Sequence, residues 1–483
     1  MTRSDILKLG SFALITAALL LGPPASALSL SEYLQQVKEK SLGYQANSEQ
    51  SEASRLKSRE ADLYFTPRLF ANARVGHDGK ESFASSITYD RLRMQNYSLG
   101  VSQEFSFGLQ TKLSYAIDKT EVEGATLPAG VASSFWDATP LIELTMPLLG
   151  NGFGRTSRAN EDVVRQQNRA ESLAADAQAQ GFLVEAEAAY WKLASSQEVV
   201  QVQTRALKQA QSILDYVSKK ARMNLGENAD VLQAKALVEA TTFQLQQALN
   251  QEKSAKRSFN TYINQAAETQ TPVLGGINFA DLEKVAVPST KPGSRYDVMA
   301  AEAQARAAQS AATLVAERNK STVDLYGSYA LNGRDEELNE ALKNAGRTEK
   351  DTAFIGVRVN IPLNILATSD AKAGAAKAQK AAELTYQHKQ FVQDQDWNNL
   401  VQQLGEAKES LRLATNIVNA QKAKLENERT RLRQGRTTTY QVLLFEQDFS
   451  QSEVTRIQSA AQILGLQAQI KLYQNQTSTE RGQ

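Results

Sequence analysis

Apolar residues recur along this chain with two periods, and the switches between them divide it into helical and extended stretches. Ser29-Leu30-Ser31-Glu32 has the Ser-x-x-Glu capping pattern, and the spacing that follows predicts a helix to about Leu63. The period then becomes two. Pro67, Leu69, Ala71, Ala73 and Val75 alternate with Arg68, Phe70, Asn72 and Arg74. Residues 97–107 repeat the pattern, with Tyr97, Leu99, Val101, Phe105 and Phe107 on one face and Gln103 as the exception. Gly108 permits a tight turn into a third alternating run over 109–118, and a fourth covers 138–146. These runs of about 9–11 residues have the length of tilted membrane-spanning strands. An apolar face opposite a polar one suits lipid outside and a wet lumen inside. A soluble sandwich with one solvated face alternates in the same way.

Three glycines follow, in Gly150-Asn151-Gly152-Phe153-Gly154. They do not match GxGxxG and no βαβ unit surrounds them, so they read as a strand-to-helix corner. A helix is predicted over 157–224; its roughly 68 residues would span about 100 Å. Gly226 breaks it, and a second helix over 228–265 makes an antiparallel hairpin. Three prolines and two adjacent glycines make 269–292 a linker. Ser294-Arg295-Tyr296-Asp297 then caps a helix running to about 319.

The same order recurs in the second half. A strand over 322–330 is followed by a polar loop over 332–350. The next strand is the cleanest in the chain: Ala353, Ile355, Val357, Val359 and Ile361 alternate with Thr352, Phe354, Gly356, Arg358 and Asn360. Helices over 369–433 and 439–475 flank Gly435. Pro147 and Pro362 stand at matching corners 215 residues apart, and Gly226 and Gly435 are 209 apart. Asp230-Val231-Leu232 matches Gln441-Val442-Leu443. The first glycine lies nearer its Val-Leu pair, so the two hairpin tips are expected to differ in length. The pattern is one duplicated architecture. Its parts are a signal segment at 1–27, a first repeat at 28–268, an equatorial linker at 269–293, a second repeat at 294–475 and a disordered tail at 476–483.

Composition narrows the chemistry. The 483 residues carry 54 Lys+Arg against 53 Asp+Glu, which argues against a nucleic-acid partner. No Cys is present, so disulfides, thiolate metal sites and lipid-modified Cys are excluded. Only His77 and His388 could serve a metal centre or triad, and they fall in different contexts. No spaced acid pair or nucleophile suggests an enzyme, and no cofactor or metal is expected. Residues 148–271 and 363–483 contain no proline, which fits long helices because proline costs about 3 kcal/mol in a helix interior. At the start, Arg3 and Lys8 precede an apolar run over 9–21 and the Ala25-Ser26-Ala27 cleavage pattern. That run is too short to span a bilayer, so it reads as an export signal, and the chain as an envelope protein of a diderm bacterium.

These motifs, in this order, resemble the TolC-type outer-membrane efflux protein family over nearly all of the mature chain. The residues that carry the resemblance are the 29–34 helix start, Met146-Pro147-Leu148-Leu149 leading to Gly154-Arg155, Arg295-Tyr296-Asp297, Ile361-Pro362-Leu363, and the turns around Gly226 and Gly435. The resemblance implies an α+β fold of two repeats, whose helical hairpins form a trimeric α-barrel below a shared transmembrane β-barrel. It implies a homotrimeric channel of a tripartite efflux or type I secretion system. The channel would sit in the outer membrane, reach into the periplasm, and work with a periplasmic adaptor and an inner-membrane pump or exporter. A non-channel coiled-coil scaffold would use the same helices without needing the strands. The family usually supplies four strands per chain; here there are six candidates, and the extra hairpin over 97–118 is expected in the wall, giving 18 strands per trimer.

Three groups of site residues follow. Leu225, Gly226, Glu227, Gln434, Gly435 and Arg436 are the expected adaptor-docking tips. Arg429, Arg431, Arg433 and Arg436 cluster at one tip, while Lys219, Lys220 and Arg222 precede Glu227 and Asp230 at the other. They read either as solvated surface or as a periplasmic gate built from Glu227, Asp230, Arg429, Arg431 and Arg433. Glu104, Lys112, Asp118, Glu143, Asp324 and Arg358 fall on polar strand faces and would line the lumen. Tyr97, Phe135 and Trp136 suit an interfacial girdle, or ordinary strand packing.

Overall fold

A computed structural model describes residues 27–80, 89–124, 130–347 and 349–474. The expected signal segment, apart from Ala27, and the expected tail lie outside the described residues. The chain divides into two units, one drawn from residues 50–174 and 297–391, the other from 27–49, 175–296 and 392–474.

The first unit is built on an antiparallel sheet. Its long strands are β1 (Arg68–Asp78), β2 (Arg91–Glu104), β3 (Gln110–Glu123), β4 (Ser134–Leu149), β5 (Thr322–Leu331) and β7 (Asp351–Asn360), with a short β6 (Gly333–Asp335). The order is β1-β2-β3-β4-β5-β7, and β6 pairs with β4 beyond the end of β5. Strands β2 and β3, the extra hairpin, are therefore interior members of the ladder. Pro140 sits where the partner of β4 changes: the β5 register begins at Leu141–Ala330 and β6 ends at Ala138–Gly333. Pro147 stands at a bulge, after which Leu149 rather than Leu148 pairs with Val323. Proline cannot donate to a ladder, so gaps and bulges are where a long strand tolerates it.

Two readings of this region need correction. The stretch read as a polar loop holds β6 and a seven-residue helix, α7 (Leu338–Asn344). Alternation could not reveal them, because each is shorter than one full pattern. The first helix is also not continuous. It divides into α1 (Leu30–Lys40) and α2 (Leu42–Ser58), because Ser41 adopts an extended conformation. The predicted capping box is present: Ser29 accepts from the Glu32 amide, and the Glu32 carboxylate accepts from the Ser29 amide at 2.8 Å.

The second unit is helical. It takes most of α3 (Arg155–Arg222), all of α4 (Asn228–Tyr262) and α9 (Thr439–Ile470), and the C-terminal part of α8 (Ile365–Arg433). Tyr33 stacks on Phe259 at 4.1 Å and donates to its carbonyl at 3.0 Å. Burial pushes the Tyr33 phenol well above the usual tyrosine range. A second core gathers Trp397, Leu404, Leu411, Ile457 and Ile463 from α8 and α9. The segment read as a linker is packed rather than free. It contains α5 (Phe279–Glu283), and its Leu274, Ile277 and Leu282 are buried in these cores. The helix α6 (Tyr296–Arg318) begins one residue later than its expected cap implies. That leaves Arg295, not Ser294, at the capping position, where its amide donates to Gln393 Oε1 at 2.6 Å.

Candidate functional site

The strand registers resolve the sheet into two chemically distinct faces. Leu69, Val101, Leu113, Ile142, Tyr329 and Ala353 are successive cross-strand partners and form one row. Parallel to it run Ala71-Leu99-Tyr115-Pro140 and Met146-Leu325-Val357. Large side chains on this face are open: Leu69 is 73%, Leu113 61% and Ile355 82% exposed. A soluble sandwich would cover such a face with a second sheet. Here the described residues add only α7, whose Ala341 and Ala345 bury Ala138.

All six residues expected on the polar face share it. Lys112 and Glu143 are direct partners and form an ion pair at 2.6 Å. Asp118 accepts from Asn96, and Glu104 accepts from Ser157 at the start of α3. Asp324 stands opposite Arg358, whose guanidinium lies 5.1 Å from the Tyr326 ring centre. Mixed signs thus sit close together across the face. Of the expected girdle residues, Tyr97 and Trp136 lie on the apolar face. Phe135 lies on the polar face, 4.3 Å beneath the Arg334 guanidinium, which pairs with Asp137 through two nitrogens at 2.6 and 2.9 Å.

At the opposite ends of α3 and α8 the two hairpin turns have the same geometry. In the first, Asn224 takes a left-handed conformation (φ 59°) and Leu225 donates to Lys220 O at 2.9 Å. In the second, Gly435 does so (φ 72°) and Arg436 donates to Arg431 O at 2.9 Å. Glu227 and Thr438 cap the following helices. The equivalent of Gly435 is therefore Asn224, not Gly226, and the spacing is 211 residues, as it is between the two caps. The tips do not differ in length. The glycine misled because asparagine also tolerates the left-handed region, whereas the Asp230/Gln441 match already carried the right offset.

The tip charges engage within their own hairpins. Arg429 binds Glu446 with Nε at 2.7 Å. Burial pushes the Glu446 carboxyl up, and the Arg429 guanidinium partly offsets this. Arg431 reaches Glu428 at 3.2 Å and the Arg436 carbonyl at 3.3 Å. Arg433 donates to Thr430, and no ion pair of Arg433, Glu227 or Asp230 occurs among the described residues. Beneath the charges, Ile213, Val217, Ala234, Leu425, Val442 and Phe445 join all four helices in one core.

No protein-family model matches the sequence, and neither does any curated protein sequence. Solved structures do match. The outer-membrane channel OprN aligns over 92% of this chain and 89% of its own, with a TM-score of 0.61 at 16% identity. The MtrE outer-membrane channel of Neisseria gonorrhoeae, in its open state, aligns over 92% and 88%, with a TM-score of 0.60 at 15% identity. The outer-membrane protein VceC of Vibrio cholerae aligns over 92% and 95%, with a TM-score of 0.59 at 13% identity. The chain has the fold of the TolC-type outer-membrane efflux channels.

Proposed function

We propose that the protein is a homotrimeric outer-membrane channel that carries efflux or secretion cargo without chemical change. The observation that carries this reading is an antiparallel sheet of six long strands in the order β1-β2-β3-β4-β5-β7, with a largely exposed apolar face and two open edges, β1 and β7. An open edge in lipid leaves backbone groups unpaired, so such a sheet must close. An even number of antiparallel strands lets β7 of one chain pair antiparallel with β1 of the next. Three chains then give 18 strands. At about 4.8 Å spacing and about 40° tilt these close at a diameter of about 36 Å, against about 24 Å for 12. Along β4 the apolar rows run from Ala138 to Leu149. At about 3.3 Å per residue and the same tilt they span about 28 Å, the height of a hydrocarbon band.

The polar face, with Glu104, Lys112, Asp118, Glu143, Asp324 and Arg358, then lines the lumen. The helical hairpins extend into the periplasm, where Leu225, Gly226, Glu227, Gln434, Gly435 and Arg436 offer the docking surface for an adaptor coupled to an inner-membrane pump. Membrane fractionation combined with planar-bilayer recording tests this reading. The protein should fractionate with the outer membrane and conduct; a soluble, non-conducting protein would end it.

A further inference from the structure

We infer that β1 of one chain pairs with β7 of a second copy in a single register, in which Val75 stands opposite Ala353. The inference rests on the shared-wall reading above and adds which residues of the two copies meet at the seam.

The rows inside one chain limit the choice. The row that starts at Leu69 passes through Val101, Leu113, Ile142 and Tyr329 to Ala353. Leu69 is one residue from Arg68, where β1 starts, whereas Ala353 is seven residues from Asn360, where β7 ends. Both of those strand ends adjoin helical segments, so the row climbs away from the helices as it crosses the sheet. On entering the next chain it must arrive above Leu69. Apolar residues must also stay on one face, so the displacement along β1 is an even number of residues. In a threefold wall of 18 strands, displacements of four, six, eight and ten residues per chain give tilts of about 25°, 35°, 43° and 49°. Barrel strands tilt at about 35–45°, which leaves Val75 (six) and His77 (eight) as partners for Ala353.

Strand ends and side chains choose Val75. It lies seven residues from Arg68, as Ala353 does from Asn360, so the two strands end flush and all 10 residues of β7 find partners. The eight-residue register leaves Arg68 and Leu69 unpaired and carries Asp351 past Asp78, the end of β1. With Val75 opposite Ala353, the polar face sets Arg74 against Phe354 and Phe70 against Arg358. The apolar face sets His77 against Asp351 at its far end. In the eight-residue register Arg74 would face Gly356 and Phe70 would face Asn360. Guanidinium–ring and imidazole–carboxylate neighbours are favourable across a strand pair. Within one chain these groups are left over. Arg74, His77 and Asp351 are exposed and make no hydrogen bond or ion pair among the described residues, and Phe354 is 65% exposed on the polar face.

The absence of cysteine makes the test direct. Ala73→Cys with Ile355→Cys places the thiols on direct partners, within disulfide reach. Ala73→Cys with Val357→Cys is two residues out of step, at about 7–8 Å, and would be the direct pair of the eight-residue register. All three positions are exposed, so neither variant removes packing within the chain. Strands β1 and β7 stand at opposite edges of the sheet, so a disulfide between them joins two copies. The full protein in outer membranes is oxidised with copper phenanthroline and separated without reductant. The first pair should give covalent dimer and trimer in at least about fivefold greater yield than the second. Equal or greater yield from the second pair overturns the register and leaves the shared wall intact. No covalent oligomer from either pair, in protein that fractionates with the outer membrane and conducts, overturns the register and leaves the channel. The same result in soluble, non-conducting protein overturns both. Leu69→Cys with Val359→Cys, exposed direct partners in the same register, carries the test if the first pair does not assemble.

Discussion

Gly108 and Gly154 oppose each other so closely that a Cβ on Gly108 would lie 2.5 Å from the Gly154 nitrogen. A Cβ on Gly154 would lie 2.2 Å from the Ser106 carbonyl oxygen, and both glycines are left-handed, at φ 93° and 75°. Either substitution to alanine therefore adds a backbone clash to a conformational cost of about 1–2 kcal/mol. Gly108→Ala and Gly154→Ala should each lower stability by more than about 2 kcal/mol, read as a fall in the thermal midpoint of the detergent-solubilised protein. Gly152→Ala, where an added Cβ meets nothing within 4 Å, should stay close to the parent.

Gly333 plays a similar part for α7. An added Cβ would meet Ala341 O at 2.1 Å and Ala345 N at 2.2 Å, so the helix backbone rests directly on the strand. Gly333→Ala should lift α7 from the apolar face. Hydrogen exchange should show the amides of 338–344 losing protection while the β4–β5 ladder keeps it. Protection retained in α7 would mean that the helix is not seated through this contact.

The sheet was legible in the sequence where one face had to be apolar, because period-two alternation is what that requirement writes. Residues 353–360 were read on the correct faces for this reason. The features that alternation does not encode were missed. Ser41 ends one helix through its extended backbone and caps the next through its hydroxyl, which accepts from the Tyr44 amide, and α7 is a two-turn helix with Ala341 buried, set among charges. The tip offset was legible in Asp230 and Gln441 but obscured by Gly226, since glycine near a turn need not be the left-handed residue. The six charges were placed on one face by parity, but their partners were not. Lys112–Glu143 depends on the β3–β4 register, which alternation within a single strand does not specify.

Glu187 and Lys471 predict an asymmetry. The Lys471 ammonium lies 2.7 and 2.6 Å from the two Glu187 oxygens, yet the Glu187 side chain is 5% exposed and that of Lys471 45%. Removing the cation strands a buried carboxylate, whereas removing the acid leaves an ammonium that water can reach. Lys471→Met should cost about 3 kcal/mol and Glu187→Gln distinctly less, by guanidinium unfolding followed by circular dichroism. Equal losses would indicate that both ends are effectively solvated.

Lys112 and Glu143 also bear on conduction. With mixed charge along the polar face, the parent channel should select weakly between ions. Lys112→Glu exchanges a positive for a negative charge beside Glu143, and threefold symmetry would repeat the change around the lumen. The reversal potential in a planar bilayer under a salt gradient should move toward cation selectivity, and Glu143→Lys should move it the other way. A reversal potential unmoved by both would place this face outside the conducting path.

The arginines at the second tip offer a graded test of a periplasmic gate. Arg429 is committed to Glu446, and Arg431 to Glu428 and the turn carbonyl. Arg433 makes no ion pair among the described residues, so it is the arginine most available to an acid on a neighbouring hairpin, Glu227 or Asp230 among them. If symmetry-related hairpins are held together in this way, Arg433→Glu should by itself raise single-channel conductance. Arg431→Glu with Arg433→Glu should raise it further, because the first change also sets a second carboxylate beside Glu428. Exposed pairs contribute about 0–1 kcal/mol each, so the effect has to come from several acting together around the mouth. Arg431→Gln separates the two causes. It removes the Glu428 pair without adding negative charge, and should loosen the turn while changing conductance little. Unchanged conductance in both reversal variants would return these arginines to the role of solvated helix surface.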